Sequence, residues 1–180
     1  MKIYSKLIPV LFFILIVFAC KQGNNSPKGS TTSTTISNDL GYTYKMSKSD
    51  KKKYYDASNN VVFEVKYKPD AFKLRTAAAD LLWKVKLYDN KVKISDNEEN
   101  LNPYEIKIIN STEAKLVKDD TKLGRLTFDS TSNQQVLTAN GATPKNIKGA
   151  YTPSTLVNLI PGIADDQKKI LINELVLKGF

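Results

Sequence analysis

Val61-Val62-Phe63-Glu64-Val65-Lys66-Tyr67-Lys68 is the stretch that decides how this chain folds. In an extended backbone its side chains alternate: Val61, Phe63, Val65 and Tyr67 share one face, and Val62, Glu64, Lys66 and Lys68 share the other. Leu81-Leu82-Trp83-Lys84-Val85-Lys86-Leu87 repeats the pattern, with Leu81, Trp83, Val85 and Leu87 set against Lys84 and Lys86. Lys91-Val92-Lys93-Ile94 and Tyr104-Glu105-Ile106-Lys107-Ile108 alternate in the same way. A period of two is that of antiparallel strands with one face in a core and one in water. Turn-forming pairs separate the runs: Pro69-Asp70, Asp89-Asn90 and Asp96-Asn97.

Outward from this stretch, the alternation extends from Tyr42 to Phe128 and carries a weak internal repeat. Three units, beginning at Phe72, Val92 and Ala114, each read as strand, turn, strand; their starts are 20 and 22 residues apart. The second strands are Leu82-Trp83-Lys84-Val85-Lys86, Tyr104-Glu105-Ile106-Lys107 and Leu123-Gly124-Arg125-Leu126-Thr127-Phe128. The expectation is a mainly β (α+β) domain over residues 41–180. Its sheet is an antiparallel β-meander or a partly closed barrel of about eight to ten strands. One or two C-terminal helices, within 153–178, pack against it or inside it. Thr152-Pro153-Ser154 has the form of a helix start, with Thr152 or Ser154 as cap. After Pro161-Gly162 a second helical stretch runs from about Ala164 to Lys178. It has Asp165 and Asp166 in its first turn, Lys178 in its last and Gly179 after it. Ile170, Leu171, Ile172, Leu175, Val176 and Leu177 leave it little polar face, which marks a buried helix.

Composition removes most catalytic chemistries. The 180 residues include no histidine and one cysteine. Imidazole acid/base catalysis, Ser-His-Asp and Cys-His nucleophiles, His-containing zinc sites and an internal disulfide framework are therefore excluded. The carboxylate groups Asp96, Glu98, Glu99 and Asp119-Asp120 fall in expected turns, where solvated charge is the ordinary reading. The segment Asp96-Asn97-Glu98-Glu99-Asn100 lacks the ligand order of a dedicated calcium loop. The chain reads as a non-enzymatic protein without cofactor or metal.

Charge points to binding instead. With 27 Lys+Arg against 18 Asp+Glu, the formal charge is +9. Opposite the apolar strand faces lie Lys66, Lys68, Lys73, Arg75, Lys84, Lys86, Lys91, Lys93 and Lys107, the candidate polyanion-binding residues; Lys115 and Arg125 extend the set, and Glu64 and Glu105 interrupt it. Lys51-Lys52-Lys53 adds a cluster beside Tyr54 and Tyr55. If the strands are neighbours, these rows merge into one positive face that attracts polyanions. The alternative is a lysine coat that keeps a sheet soluble and its edges unpaired.

The first twenty residues read as a secretory signal: Lys2 and Lys6, then an uncharged run from Leu7 to Ala19 too short to span a bilayer as a helix, then Cys20. Residues 21–39, Ser/Thr/Asn-rich with Ile36 as their one large apolar side chain, read as a disordered tether. Val17-Phe18-Ala19-Cys20 resembles a bacterial lipoprotein box in the relaxed form of spirochaete lipoproteins. That resemblance implies cleavage before Cys20, acylation of Cys20, and display from the outer membrane on a lipid anchor. It also implies partners of the kind such lipoproteins contact: extracellular matrix, glycosaminoglycans, plasminogen, complement regulators or anionic lipids. Nucleic acid is disfavoured by that location. The hairpin units from Phe72 to Lys86 and Leu123 to Phe128, followed by an apolar C-terminal helix, resemble the tubby-like/LURP-one/scramblase barrel superfamily. This implies, as an alternative, a periplasm-facing envelope protein with a lipid-binding or structural role; no site residue of that superfamily has a counterpart here.

Overall fold

The structure is a computed structural model that describes residues 41–180; the expected leader, Cys20 and tether lie outside the described residues. Alternation becomes eleven strands: β1 (Thr43–Lys48), β2 (Lys51–Tyr55), β3 (Val61–Lys68), β4 (Ala71–Thr76), β5 (Leu81–Tyr88), β6 (Lys91–Ser95), β7 (Tyr104–Asn110), β8 (Glu113–Lys118), β9 (Thr121–Asp129), β10 (Gln134–Ala139) and β11 (Lys145–Lys148). They form one antiparallel sheet in which each strand pairs with its neighbours in sequence, from β1 at one edge to β11 at the other. The meander expected from the sequence is therefore present. The barrel alternative is not: β1 and β11 do not pair, and the sheet stays open.

The strand count exceeds the expected eight to ten because β10 and β11 lie beyond the clear alternation. On β10 the core-facing pair is Gln135 and Leu137. Gln135 is tolerated in the core because its Oε1 accepts the Thr152 backbone N–H at 2.9 Å. A glutamine at an inward position breaks the apolar pattern that sequence reading relies on. In β11, four residues long, Ile147 is the one large apolar side chain.

The hairpins repeat in space as in sequence. Tyr67, Leu87, Ile108 and Phe128 donate their backbone N–H groups to the turn carbonyls of Asp50, Asp70, Asn90 and Thr112, each at 2.8 Å; Gly149 does the same to Asn133 at 3.0 Å. These carbonyls stitch each turn to the strand after the hairpin's own pair. The β8–β9 turn puts Asp119 and Asp120 both at positive φ, 47° and 60°. That suits a two-residue hairpin, whose left-handed centre matches strand twist. These aspartates are turn residues.

One sheet face carries the core: Tyr54, Phe63, Val65, Phe72, Leu74, Trp83, Val85, Val92, Ile94, Ile106, Leu116, Leu126 and Leu137. Two C-terminal elements cover it. A 3-10 helix, Pro153–Leu159, packs over β7 to β10 and buries Leu156 and Val157. After Pro161-Gly162, α1 (Asp165–Val176) buries Ile170, Leu171 and Leu175. Both lie against the sheet, as the apolar sequence required. Thr152 precedes the first helix but its hydroxyl donates to Ala150 O, and Ser154 donates to Phe180 O, so neither caps with its side chain. The second helix ends at Val176, short of Lys178, whose ammonium sits 5.3 Å from the Tyr67 ring centre. Gly124 lets the cover come close: a Cβ there would lie 2.2 Å from Leu159 Cδ1 and 2.8 Å from Thr138 O.

Candidate functional site

The sheet face away from the helices is built by the residues that alternate with the core. Registers fix its rows. Lys51, Lys66, Lys73 and Lys84 stand directly opposite one another across β2 to β5. Two residues further along, Lys86 of β5 faces Lys93 of β6, which faces Glu105 of β7. A third row runs Lys91, Lys107, Lys115 and Arg125 across β6 to β9. At a strand spacing of about 4.8 Å, each four-cation row is roughly 14 Å long. Arg75 lies beside the first row opposite Glu64, and Lys68 at its strand end opposite Ala71. All nine candidate polyanion-binding residues thus share one face.

Four carboxylates meet these cations. Glu64 pairs with Lys51 at 2.7 Å, and Glu113 with Arg125 at 2.9 Å. Glu105 is the counter-ion of Lys93 (3.0 Å), Lys107 (3.1 Å) and Lys91 (3.7 Å). Glu98 comes from the β6–β7 loop and reaches Lys73 (2.5 Å), Arg75 (3.1 Å) and Lys84 (3.9 Å). The Lys84 ammonium also donates to the Glu98 backbone carbonyl. Glu98 is therefore not the freely solvated turn charge expected from its sequence position. The hydrogen bond from Lys73, then the charges of Lys73, Arg75 and Lys84, hold its carboxyl below the usual range. At Glu105 partial burial pushes upward, but hydrogen bonds from Lys93 and Lys107 and their charges outweigh it, and its pKa is lowered too. Among the described residues, no carboxylate lies within ion-pair distance of Lys66, Lys68, Lys86 or Lys115. Lys66, Lys68, Ala71, Phe72, Lys73, Arg75 and Lys84 line a groove of about 250 Å³.

Lys52 corrects the sequence reading. The run Lys51-Lys52-Lys53 reads as one surface cluster, yet Lys52 points into the core with Tyr54 and is 5 % exposed. Its ammonium meets Glu174 Oε1 at 2.7 Å; Glu174 lies on α1 and is 1 % exposed. Tyr54 OH donates to the same oxygen, and Tyr67 OH donates to Oε2 at 2.6 Å. Lys52 Nζ also stands 4.6 Å from the Tyr44 ring centre. Burial, then the Glu174 charge and its hydrogen bonds, push the Tyr54 and Tyr67 phenols far above their usual range. The signal was in the sequence: strict alternation puts Lys52 on the Tyr54 face, and Glu174 is the one carboxylate in an apolar run. With Tyr42 OH on Asp166 (3.1 Å) and Trp83 Nε1 on Gln167 (2.8 Å), this cluster clamps α1 to β2, β3 and β5. It is structural.

Among the described residues no three His, Cys, Asp or Glu side chains gather as a metal site, and no helix is long and apolar enough to cross a membrane. No protein-family model, curated protein or solved structure matches the chain.

Proposed function

We propose that this protein is a lipid-anchored, envelope-displayed binding module. Its ligand is a sulfated polysaccharide of the glycosaminoglycan kind, held on the cationic sheet face. The observation that carries the reading is the register. Like charges set directly across from one another in a sheet cost stability, and here Lys51, Lys66, Lys73 and Lys84 are aligned in one unbroken row. A coat serving solubility alone could set acids within that row, whereas Glu64 and Glu98 only flank it. Rows of cations on a stiff sheet suit a polymer of repeating anions, since the lysines are already aligned at the strand spacing and the sheet itself need not refold to meet each sulfate. Anchoring through an acylated Cys20, with residues 21–39 as a tether, belongs to the same proposal and rests on the lipoprotein-box resemblance. Plasminogen, complement regulators and anionic lipids are competing partners that the test separates.

The test is retention on immobilised heparin, with paired variants of equal charge change. Lys66→Glu/Lys86→Glu alters the face; Lys145→Glu/Lys178→Glu alters the helix side, where Lys145 stands opposite core-facing Leu137. The first pair should elute at distinctly lower salt, and the second should stay near the wild type. Equal elution of both pairs refutes the cationic face as the contact surface. Vesicles of anionic phospholipid binding wild type while heparin does not would move the assignment to lipid.

A further inference from the structure

Three cations converge on Glu98 from two adjacent strands, and the acid comes from the loop between β6 and β7. Lys73 and Arg75 project from β4 and Lys84 from β5; Glu98 is 44 % exposed at its side chain, whereas the three cations are about half as exposed or less. The carboxylate is thus the outer, solvent-facing member of a cation pocket, and its three cations also line the groove with Lys66 and Lys68.

Arg75 shows that the fit to Glu98 is incomplete. Its Nη1 donates to Ala79 O at 2.8 Å and its Nη2 to Glu98 Oε1 at 3.1 Å. Its Nε is closed off from solvent and has no acceptor among the described residues. A buried guanidinium donor left empty is costly, and the Nε–Nη2 edge is the one that forks around an oxyanion with two parallel hydrogen bonds. Glu98 uses half of that edge. A tetrahedral group with three terminal oxygens could take both donors of Arg75 and still face Lys73 and Lys84.

We propose that Glu98 is a built-in occupant of an oxyanion subsite formed by Lys73, Arg75 and Lys84, and that a sulfate ester of the bound polysaccharide displaces it. The step is exchange of one anion for another, with no bond made or broken covalently. Lys66 and Lys68, which have no carboxylate partner among the described residues, receive neighbouring sulfates of the same polysaccharide. The loop acid then acts as an internal competitor that keeps weak or singly charged anions off the face. This rests on the sulfated-polysaccharide reading above.

Glu98→Gln and Glu99→Gln test it as a pair. Both remove one negative charge from the same loop, but only Glu98 touches the cations. Binding of heparin to the full chain, followed by titration calorimetry at several salt concentrations, should show Glu98→Gln about threefold tighter or more, the worth of freeing a half-exposed ion pair. Its log affinity should also fall more steeply with log salt, by about one unit. Glu99→Gln should stay near the wild type. Arg75→Lys, which keeps the charge and removes the forked edge, should bind more weakly than wild type. If Glu98→Gln and Glu99→Gln bind alike, or Arg75→Lys is unaltered, the subsite is refuted while heparin binding by the face still stands. If neither wild type nor Glu98→Gln binds heparin, both readings fall.

Discussion

Removing Glu174 strands a buried cation. In Glu174→Leu the side-chain volume is nearly kept, but the Lys52 ammonium, 5 % exposed, loses its counter-charge at 2.7 Å, and the Tyr54 and Tyr67 phenols lose their acceptor. Breaking one side of a buried pair costs about 3–5 kcal/mol, and each orphaned buried donor adds about 1–3 kcal/mol where water cannot reach it. Set against a total of roughly 5–15 kcal/mol for a domain, the variant should lose at least about a quarter of its stability, Tyr67 being only partly buried. For a domain of this size that is a fall in Tm of about 10 °C or more. Lys52→Met in the Glu174→Leu background removes the stranded charge. The double variant should therefore recover about 2–3 kcal/mol, a coupling expected only for residues in direct contact. The assay is urea unfolding followed by the fluorescence of Trp83, the sole tryptophan, whose Nε1 is bonded to Gln167 on the same helix. A loss below about 1 kcal/mol in Glu174→Leu, or a double variant no more stable than the single, would refute the clamp.

Gly124→Ala should cost about 1–3 kcal/mol by overpacking, because its new methyl would meet Leu159 Cδ1 and the fixed Thr138 carbonyl; adding Leu159→Ala should not restore it fully, as chemical denaturation would show. Because the folded state raises the Tyr54 and Tyr67 pKa values, their contribution is whole below about pH 10, the unfolded value, and drains away as pH rises further. Tyrosinate absorbance from these two rings should therefore appear together with the loss of Trp83 fluorescence; ionisation of every tyrosine in a still-folded protein would contradict this. The lowered pKa values of Glu98 and Glu105 have the opposite sense: their contribution is present above the usual value near 4.5 and lost as pH falls through the depressed one. The Tm difference between wild type and Glu105→Gln should accordingly shrink as pH drops below that value. Cys20→Ser should abolish incorporation of radioactive palmitate, and equal labelling of variant and wild type would overturn the anchor.

Much of this was legible in the chain because one physical rule, alternation, governs both the core and the face. Phe63, Val65, Trp83 and Val85 could be placed inward, and Lys66, Lys84 and Lys86 outward, from spacing alone. Hydrophobic pattern says which side of a strand a residue takes, and antiparallel hairpins of regular length then fix which strands adjoin. It does not say where a charge finds its partner. Lys52 was misplaced because a run of three lysines looks like a surface cluster unless alternation is held to through it, and its partner lies 122 positions away on another element. Glu98 was misjudged for a related reason: a loop acid is ordinarily solvated, and only the register that sets Lys73 beside Lys84 reveals three cations beneath it. Gln135 hid β10, since an inward polar side chain is satisfied by a backbone group 17 residues on that no pattern announces.

The order of the chain has a consequence for its manufacture. Every strand is bonded to the one made just before it, so pairing can advance from the amino-terminal edge as synthesis proceeds, with short loops to close. The greasy side of that growing ribbon has no roof until residues 153–176 arrive. A ribosome-bound intermediate is therefore an adhesive slab. Loss of the final thirty residues would leave every strand with its partner and the apolar face of the sheet open to water.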